Sequence, residues 1–365
     1  MQEALSLLEL SLMSVIEPID NVDPETLARF DAIIDVRSPD EFAEDHIPGA
    51  INLPVLSNDE RAEVGTIYKQ QSTFGARRIG AGYVSRNIAT HLTEFYASQQ
   101  PSSRFLIYCW RGGMRSRSLA TVVSEVGWRT GILVGGYKTW RRSVVHALRD
   151  ANDPINVVLL DGQTGVAKSE ILRRFAATGE QTLDLEMLAA HRGSVFGALA
   201  EEQQPTQKRF ESLLWRELSR QNLHEPILIE AESNRIGRCE VPARLWKSMR
   251  AAPVVSIEAN LNLRADYLVN AYRDIIAHES AIPDAINRLK QFHSKDTIDA
   301  WKVLAEAKNY RPLATSLMSE HYDPLYDRAR KARDRKPIKT IALNGLDHEA
   351  LDLAVSQIKA VFAAE

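Results

Sequence analysis

Residues 105–116 run Phe105-Leu106-Ile107-Tyr108-Cys109-Trp110-Arg111-Gly112-Gly113-Met114-Arg115-Ser116. The first four are apolar and predict a buried strand, the strand stops at Cys109, and a helical pattern begins within the quoted segment. A loop between a strand end and a helix start can turn its backbone amides onto one point, which makes that point a good seat for an anion. A thiolate, persulfide or selenium adduct on Cys109 would gain from those amides, from the positive helix end and from Arg111 and Arg115. Gly112 and Gly113 permit the tight backbone that such a cradle demands. A cysteine acting only as a small buried hydrophobe at a strand end would not call for two glycines and two arginines beside it.

Moving outward, residues 32–36 form a short apolar run after a helix-like segment capped at Asp23-Pro24, and the run ends in Arg37-Ser38-Pro39 as strand then turn. Residues 132–134 are a third apolar run, closed by Gly135-Gly136 and followed by a basic helix carrying Trp140. Between the first two strands, Gly65, Gly75, Gly80 and Gly82 predict loops and one helix. Short apolar strands alternating with helices give an α/β fold with a parallel sheet. The turn formers Asp150, Asn152, Asp153 and Pro154 place a domain boundary near 149–154. Length agrees, since 365 residues are long for one core.

A second α/β domain starts at residue 155, with strands expected at 155–160, 227–229, 254–257 and 338–343. Between its first strand and a helix over 169–177 lies Gly162-Gln163-Thr164-Gly165-Val166-Ala167-Lys168-Ser169. This matches G-x-x-x-x-G-K-[ST] except that Ala167 replaces the second glycine, and the strand-before, helix-after context is the one the motif requires. The loop's N–H groups would hold phosphate oxygens, Lys168 would neutralise them, and Ser169 could reach a Mg²⁺ ion. Allowing Gly or Ala at that position, average composition gives roughly 0.03 chance matches in such a chain. If residue 167 needs positive φ, the alanine Cβ costs on the order of a kilocalorie per mole or more. Glu230 and Glu232 follow the 227–229 strand, where they are either metal-organising acids or ordinary strand-end charges. His191-Arg192-Gly193-Ser194 is a candidate substrate contact through its cation and hydroxyl. Cys239, with only Arg238 as an activating neighbour, is expected to be structural.

The apolar fraction of 44% and the charged fraction of 25% exclude disordered and fibrous classes. Two distant cysteines leave no disulfide framework and no cysteine metal cluster, which fits a reducing cytoplasm. The apolar stretch 5–15 is broken by Glu9, lacks a preceding positive charge and is too short to span a bilayer, so it is expected to be a helix or strand, and no membrane partner is expected. A net charge of −3 excludes a uniformly basic coat, but nucleic-acid binding needs only local positive surface. Basic residues cluster at Lys69, Arg77, Arg78 and Arg86, from Arg111 to Arg117, at Lys138, Arg141 and Arg142, and over 328–339. Each is either a solvated face or part of such a surface.

The cysteine loop also satisfies C-x-x-G-x-x-R-S, the cysteine-phosphatase arrangement. The upstream residues decide between the two. Asp35-Val36-Arg37-Ser38-Pro39-Asp40-Glu41-Phe42 and His46-Ile47-Pro48-Gly49-Ala50-Ile51-Asn52-Leu53-Pro54 resemble the first signature of the rhodanese family, and the segment from Gly135 through Trp140 looks like its closing signature. Asp45 departs from that pattern, where glycine commonly stands, and is expected to affect only a turn. Asp35 and Arg37 are expected to form a buried structural pair, and His46 to pack near the domain core.

A rhodanese-like domain (residues 1–150) followed by a P-loop NTPase-like α/β domain (151–365) with extra C-terminal helices resembles the tRNA 2-selenouridine synthase family. Residues 56–66, the Cys109 loop and the 191–194 block carry the resemblance. It implies a two-step change of wobble 2-thiouridine to 2-selenouridine through an S-geranylated intermediate, with geranyl diphosphate and selenophosphate as substrates. It further implies Cys109 as catalytic residue, with Arg111, Gly112, Gly113 and Arg115 as the selenophosphate or sulfur cradle and residues 162–169 as the diphosphate site. A tRNA anticodon arm and a selenophosphate-producing enzyme are the implied partners. No tightly bound cofactor is expected, beyond Mg²⁺ accompanying the diphosphate. An ATP-dependent sulfurtransferase acting on tRNA and a non-enzymatic RNA-binding adaptor are the readings from other classes.

Overall fold

The apolar runs at 32–36 and 105–108 pair side by side as parallel strands, which sets the frame of the first half of the chain. The computed structural model describes residues 16–191, 203–277, 280–332 and 336–363; the stretch 5–15 lies outside them. Two compact units result, the first running to Asp150 and taking in Glu211–Arg220, the second holding Ala151–Phe210 and Gln221–Glu365.

In the first unit, β1 (Glu17–Ile19), β2 (Ala32–Asp35), β3 (Ile51–Asn52), β4 (Arg104–Tyr108) and β5 (Arg129–Leu133) make one parallel sheet in the order β1-β5-β4-β2-β3. Ile34, Phe105, Ile107, Leu119 and Val123 are fully buried against it. Strand β5 begins earlier than expected because Gly131 continues the strand beneath the Phe30 ring, where a Cβ would lie 2.9 Å from Phe30 Cζ. Val134, expected inside the strand, falls just beyond it.

Residues 53–103 differ more from expectation. Instead of loops and one helix, they hold a helical hairpin, Asn58–Gln70 against Thr73–Glu94. Its four glycines are helical: Gly80 is buried and faces Val64, whose methyls lie 3.5 and 3.6 Å from where a Cβ would stand. Packing between the two helices outweighs a glycine cost of about 1 kcal/mol per residue.

Two further expectations concern Asp35 with Arg37, and Asp45. Arg37 and Asp35 are both buried and paired at 2.6 Å, with the guanidinium 4.1 Å from the Tyr137 ring centroid. His46 is half-buried, stacked on Phe42 and bonded to the Phe42 carbonyl at 2.8 Å. Asp45 does more than shape a turn. Fully buried, it accepts hydrogen bonds from Tyr137 OH (2.7 Å) and Ser212 Oγ (2.8 Å), and Trp140 Nε1 donates to Ser212 in turn. With Glu211 also buried and paired to Arg141 and Arg149, polar anchoring explains why residues 211–220 group with the first unit.

The second unit has β6 (Val157–Gly162), β7 (Thr182–Leu183), β8 (Ile227–Glu230), a small antiparallel pair β9 (Arg235–Ile236) and β10 (Cys239–Glu240), then β11 (Val254–Ala259) and β12 (Lys339–Leu343). Five of these form a parallel sheet ordered β12-β11-β6-β8-β7. The extra helices lie mostly between β11 and β12, around their own core of Ile286, Leu289, Ile298 and Trp301. No helix among the described residues is long and apolar enough to cross a membrane.

Candidate functional site

Cys109 stands one residue past β4, and the helix Met114–Val126 starts five residues later. Its sulfur accepts from Gly113 N–H at 3.2 Å and shares the Ser116 O–H, at 3.2 Å, with Gly113 O at 3.1 Å. Cysteine 109 is only 3% exposed and borders the apolar core, yet its sulfur faces donors that a hydrophobic role would not require. Ser116, fully buried, was not singled out from sequence, although it closes the quoted segment. Gly112 is left-handed, at φ +64°, and a Cβ there would stand 2.7 Å from Leu133 O. Gly136 packs closer still, its would-be Cβ 2.1 Å from Cys109 O. The closing glycines therefore let the 135–137 turn pack directly on the cysteine loop, where Tyr137 N–H donates to Cys109 O at 2.8 Å.

The two arginines of the loop differ. Arg111 is exposed and forms no ion pair among the described residues. Arg115 is half-buried and pairs with Glu41 at 2.6 Å. Burial works to raise the Glu41 carboxyl, but the hydrogen bond and charge of Arg115 outweigh it and hold the acid below the usual range. The positive charge of Arg115 is thus largely spent on Glu41, and the backbone and Ser116 supply the direct donors to sulfur.

The second loop follows β6 into the helix Lys168–Ala177. Ala167 takes φ +62°, left-handed, so the alanine does carry the strain foreseen for it, about 1–2 kcal/mol. Lys168 Nζ donates to Gly162 O at 2.7 Å, closing the loop on itself. A cavity of about 520 Å³ opens over residues 164–170 and is lined on its far side by Glu186, His191, Glu232 and Tyr267. His191, a candidate substrate contact, lines this cavity, its pKa lowered by burial and by Arg288; Arg192 and Ser194 lie outside the described residues. Gly162 and Gln163 border a separate cavity with Asn260 and Arg330.

Of the two acids at the end of β8, Glu232, just past the strand, reaches the loop cavity, whereas Glu230, its last residue, is fully buried and accepts from Leu185 N–H at 3.1 Å. Two carboxylates missed from sequence complete the group. Glu186 accepts from Ser169 Oγ at 3.4 Å; burial and then Glu232 push its pKa up to about 8, against the pull of Lys168. Burial raises Asp184 too, and burial followed by Asp184, Glu186 and Glu232 raises Glu230 well above the carboxylate range. Such crowding is what a cation or a lysine would relieve, and Ser169, Glu186 and Glu232 suit a Mg²⁺ that takes most of its oxygens from a phosphate and water. No three His, Cys, Asp or Glu side chains among the described residues converge as a metal cage.

Arg264 was also missed. Buried on the Leu261–Ala271 helix, it pairs with Asp323 at 2.8 Å and donates to Thr164 O at 3.2 Å, bracing the loop from outside. Beside that brace the cavity meets a second, apolar chamber of about 80 Å³ that shares Thr164, Leu268, Tyr272 and Tyr322 and runs on past Ile275, Leu313 and Leu317. Cys239 is buried, its thiol raised by desolvation, and it sits at 3.7 Å from Pro205 O, in keeping with a structural role.

With this geometry in view, two family models match the chain: the Rhodanese-like domain over residues 18–143 and the tRNA 2-selenouridine synthase AAA domain over 155–297. A Bdellovibrio bacteriovorus protein named tRNA 2-selenouridine synthase is 38% identical over 253 residues, which cover 68% of this chain and 65% of that one. A Hahella chejuensis protein of the same name is 37% identical, with 68% and 64% covered. For one from Bordetella petrii the identity is 31% over 338 residues, 83% of this chain and 88% of that one. The chain therefore spans just under two thirds of the first two relatives and most of the third.

Proposed function

The chain belongs to the tRNA 2-selenouridine synthase family, and from that premise we propose that it converts wobble 2-thiouridine of tRNA to 2-selenouridine in two steps. In the first, the base sulfur attacks C1 of geranyl diphosphate: a C–S bond forms, the C1–O bond breaks with its electron pair leaving on diphosphate, and the base releases its N3 proton. In the second, selenium of selenophosphate bonds to C2 of the base as the C2–S bond breaks and the geranyl thiolate departs, taking up a proton; water then cleaves the Se–P bond, releasing phosphate and leaving 2-selenouridine.

One observation carries the reading. The phosphate-loop cavity and the apolar chamber share walls, which suits a ligand with an anionic head and a hydrocarbon tail. The chamber walls include Leu268, Ile275, Leu313 and Leu317, which suit a hydrocarbon tail better than a ribose and base. Lys168 would exchange the Gly162 carbonyl for a diphosphate oxygen and stabilise the charge that develops on the leaving group. A Mg²⁺ bound at Ser169 and Glu186 would supply further neutralisation of the same charge.

The cysteine loop would serve the second step. Its Gly113 amide and Ser116 hydroxyl would stabilise a Cys109 thiolate, and the exposed Arg111 would meet incoming selenophosphate. Filling the chamber tests the assignment of the tail. Leu313→Trp is expected to raise the KM for geranyl diphosphate roughly tenfold or more while leaving selenation of tRNA already geranylated unchanged. An unaltered KM would count against the chamber, and with it the prenyl substrate.

A further inference from the structure

The 58–94 hairpin is divided in charge along its length. At its base acids and cations are mixed: Glu60 holds Arg86 and accepts from Asn87 at 2.8 Å, and Glu63 accepts from Tyr83 OH at 2.7 Å. At its tip, residues 68–78 contain Lys69, Arg77 and Arg78 and no acid. All three are exposed, without an ion pair among the described residues. Alongside these cations the tip presents two aromatic side chains to solvent, Tyr68 at 56% and Phe74 at 75% exposure. A single exposed aromatic is ordinary on a protein surface. Two on either side of one turn, within a segment of net charge +3, are the arrangement that stacks unpaired bases while neutralising phosphates.

The tip is also held in place. Gln71 and Ser72 N–H both donate to Ile67 O at 3.0 Å, Ser72 Oγ caps the following helix through Gly75 N–H at 3.1 Å, and Ala76 is buried beneath the turn. Ordered backbone under exposed rings lowers the entropy that binding must overcome. The hairpin base meets the cysteine loop: Arg61 lies 4.0 Å from Glu41, the same carboxylate that pairs with Arg115. From Arg61 to Gln70 the helix rises about 14 Å, a span that a single-stranded loop crosses in a few nucleotides.

We infer that the hairpin tip is an RNA-docking element: Tyr68 and Phe74 stack on unpaired bases of the substrate loop, and Lys69, Arg77 and Arg78 hold the flanking phosphates. The inference rests on the tRNA reading above and adds where, and by what chemistry, the loop is gripped. Its occupant is single-stranded RNA, favoured over duplex because only unstacked bases expose a face to a ring.

The test uses the full chain and a fluorescent anticodon stem-loop RNA, compared with the same strand annealed to its complement. Tyr68→Ala with Phe74→Ala is expected to weaken binding of the stem-loop roughly 10- to 100-fold and leave duplex binding unchanged. Phe74→Trp, which keeps the stacking face, should retain stem-loop affinity. Lys69→Gln, Arg77→Gln and Arg78→Gln together should weaken both RNAs and reduce the slope of log K against log salt by about 2. Wild-type affinity in the double aromatic variant would overturn the inference, with the tRNA reading intact. So would a loss that tracks dissociation of a dimer, which would make the tip a self-association surface. A wild-type chain that binds no RNA would overturn both.

Discussion

At Cys109 the donors already face the atom they serve: Gly113 N–H and Ser116 O–H lie 3.2 Å from the sulfur, and Arg115 is locked to Glu41. At Lys168 the principal donor faces its own loop, bonded to Gly162 O, while Asp184, Glu186 and Glu230 hold protons more tightly than ordinary carboxylic acids. Both loops join a parallel strand to a helix, so topology alone does not distinguish them. The difference lies in readiness. A cradle built around an atom of the protein itself is complete in the free state, whereas a cradle for a diffusible diphosphate keeps its cation and acids in a substitute arrangement that the ligand must displace.

The contrast can be broken most sharply at Ser116. Ser116→Ala removes a hydrogen bond to a developing anion, commonly a loss of about 1.5–3 kcal/mol, so selenation is expected to slow roughly 10- to 100-fold with geranylation unchanged. Single-turnover assays of the two steps would show it. Equal losses in both steps would mean that Ser116 supports the fold and not the sulfur.

The acid cluster sharpens the other side. In the unfolded chain Glu186 loses its proton near pH 4.5; in the folded protein it keeps the proton up to about pH 8. Between those values the folded state binds more protons, so stability is greatest below the lower pKa and falls as pH rises toward the upper one. Thermal melts of the ligand-free protein should therefore show a Tm decreasing from about pH 5 to 8. Glu186→Gln, which imitates the protonated form, should flatten that dependence.

The smallest effect is at Ala167. Replacing it by glycine relieves a left-handed strain of about 1–2 kcal/mol, offset by about 0.5–1 kcal/mol of glycine backbone entropy. The expected net gain of up to about 1 kcal/mol would raise Tm by roughly 2–4 °C, readable by calorimetry.

Much of this was legible along the chain, and the rest fails for definite reasons. The strand end at Cys109 was readable because an apolar run stops there and glycines follow, and the left-handed turn at Ala167 because a motif demands it; β6, expected over 155–160, instead runs over Val157–Gly162, since Asp161 and Gly162 continue the pairing with β11. The 58–94 hairpin was hidden by Gly65, Gly75, Gly80 and Gly82, which punctuate a sequence locally but here lie inside helices, Gly80 against Val64. Asp45 acquires its role only when Ser212, far along the chain, reaches it. Glu186 and Arg264 carry no local signal at all: an acid after an Asp-capped turn and an arginine on an apolar helix look like surface charges until β7, β8 and Asp323 surround them.

The division of labour between the loops is tested most directly by the mass of tRNA nucleosides from cells whose only copy of this chain is Cys109→Ala or Lys168→Ala. The account predicts geranylated 2-thiouridine without 2-selenouridine in the first, and unchanged 2-thiouridine in the second, with the purified Lys168→Ala protein still selenating tRNA geranylated beforehand. A Cys109→Ala protein that selenates geranylated tRNA but no longer geranylates would contradict it.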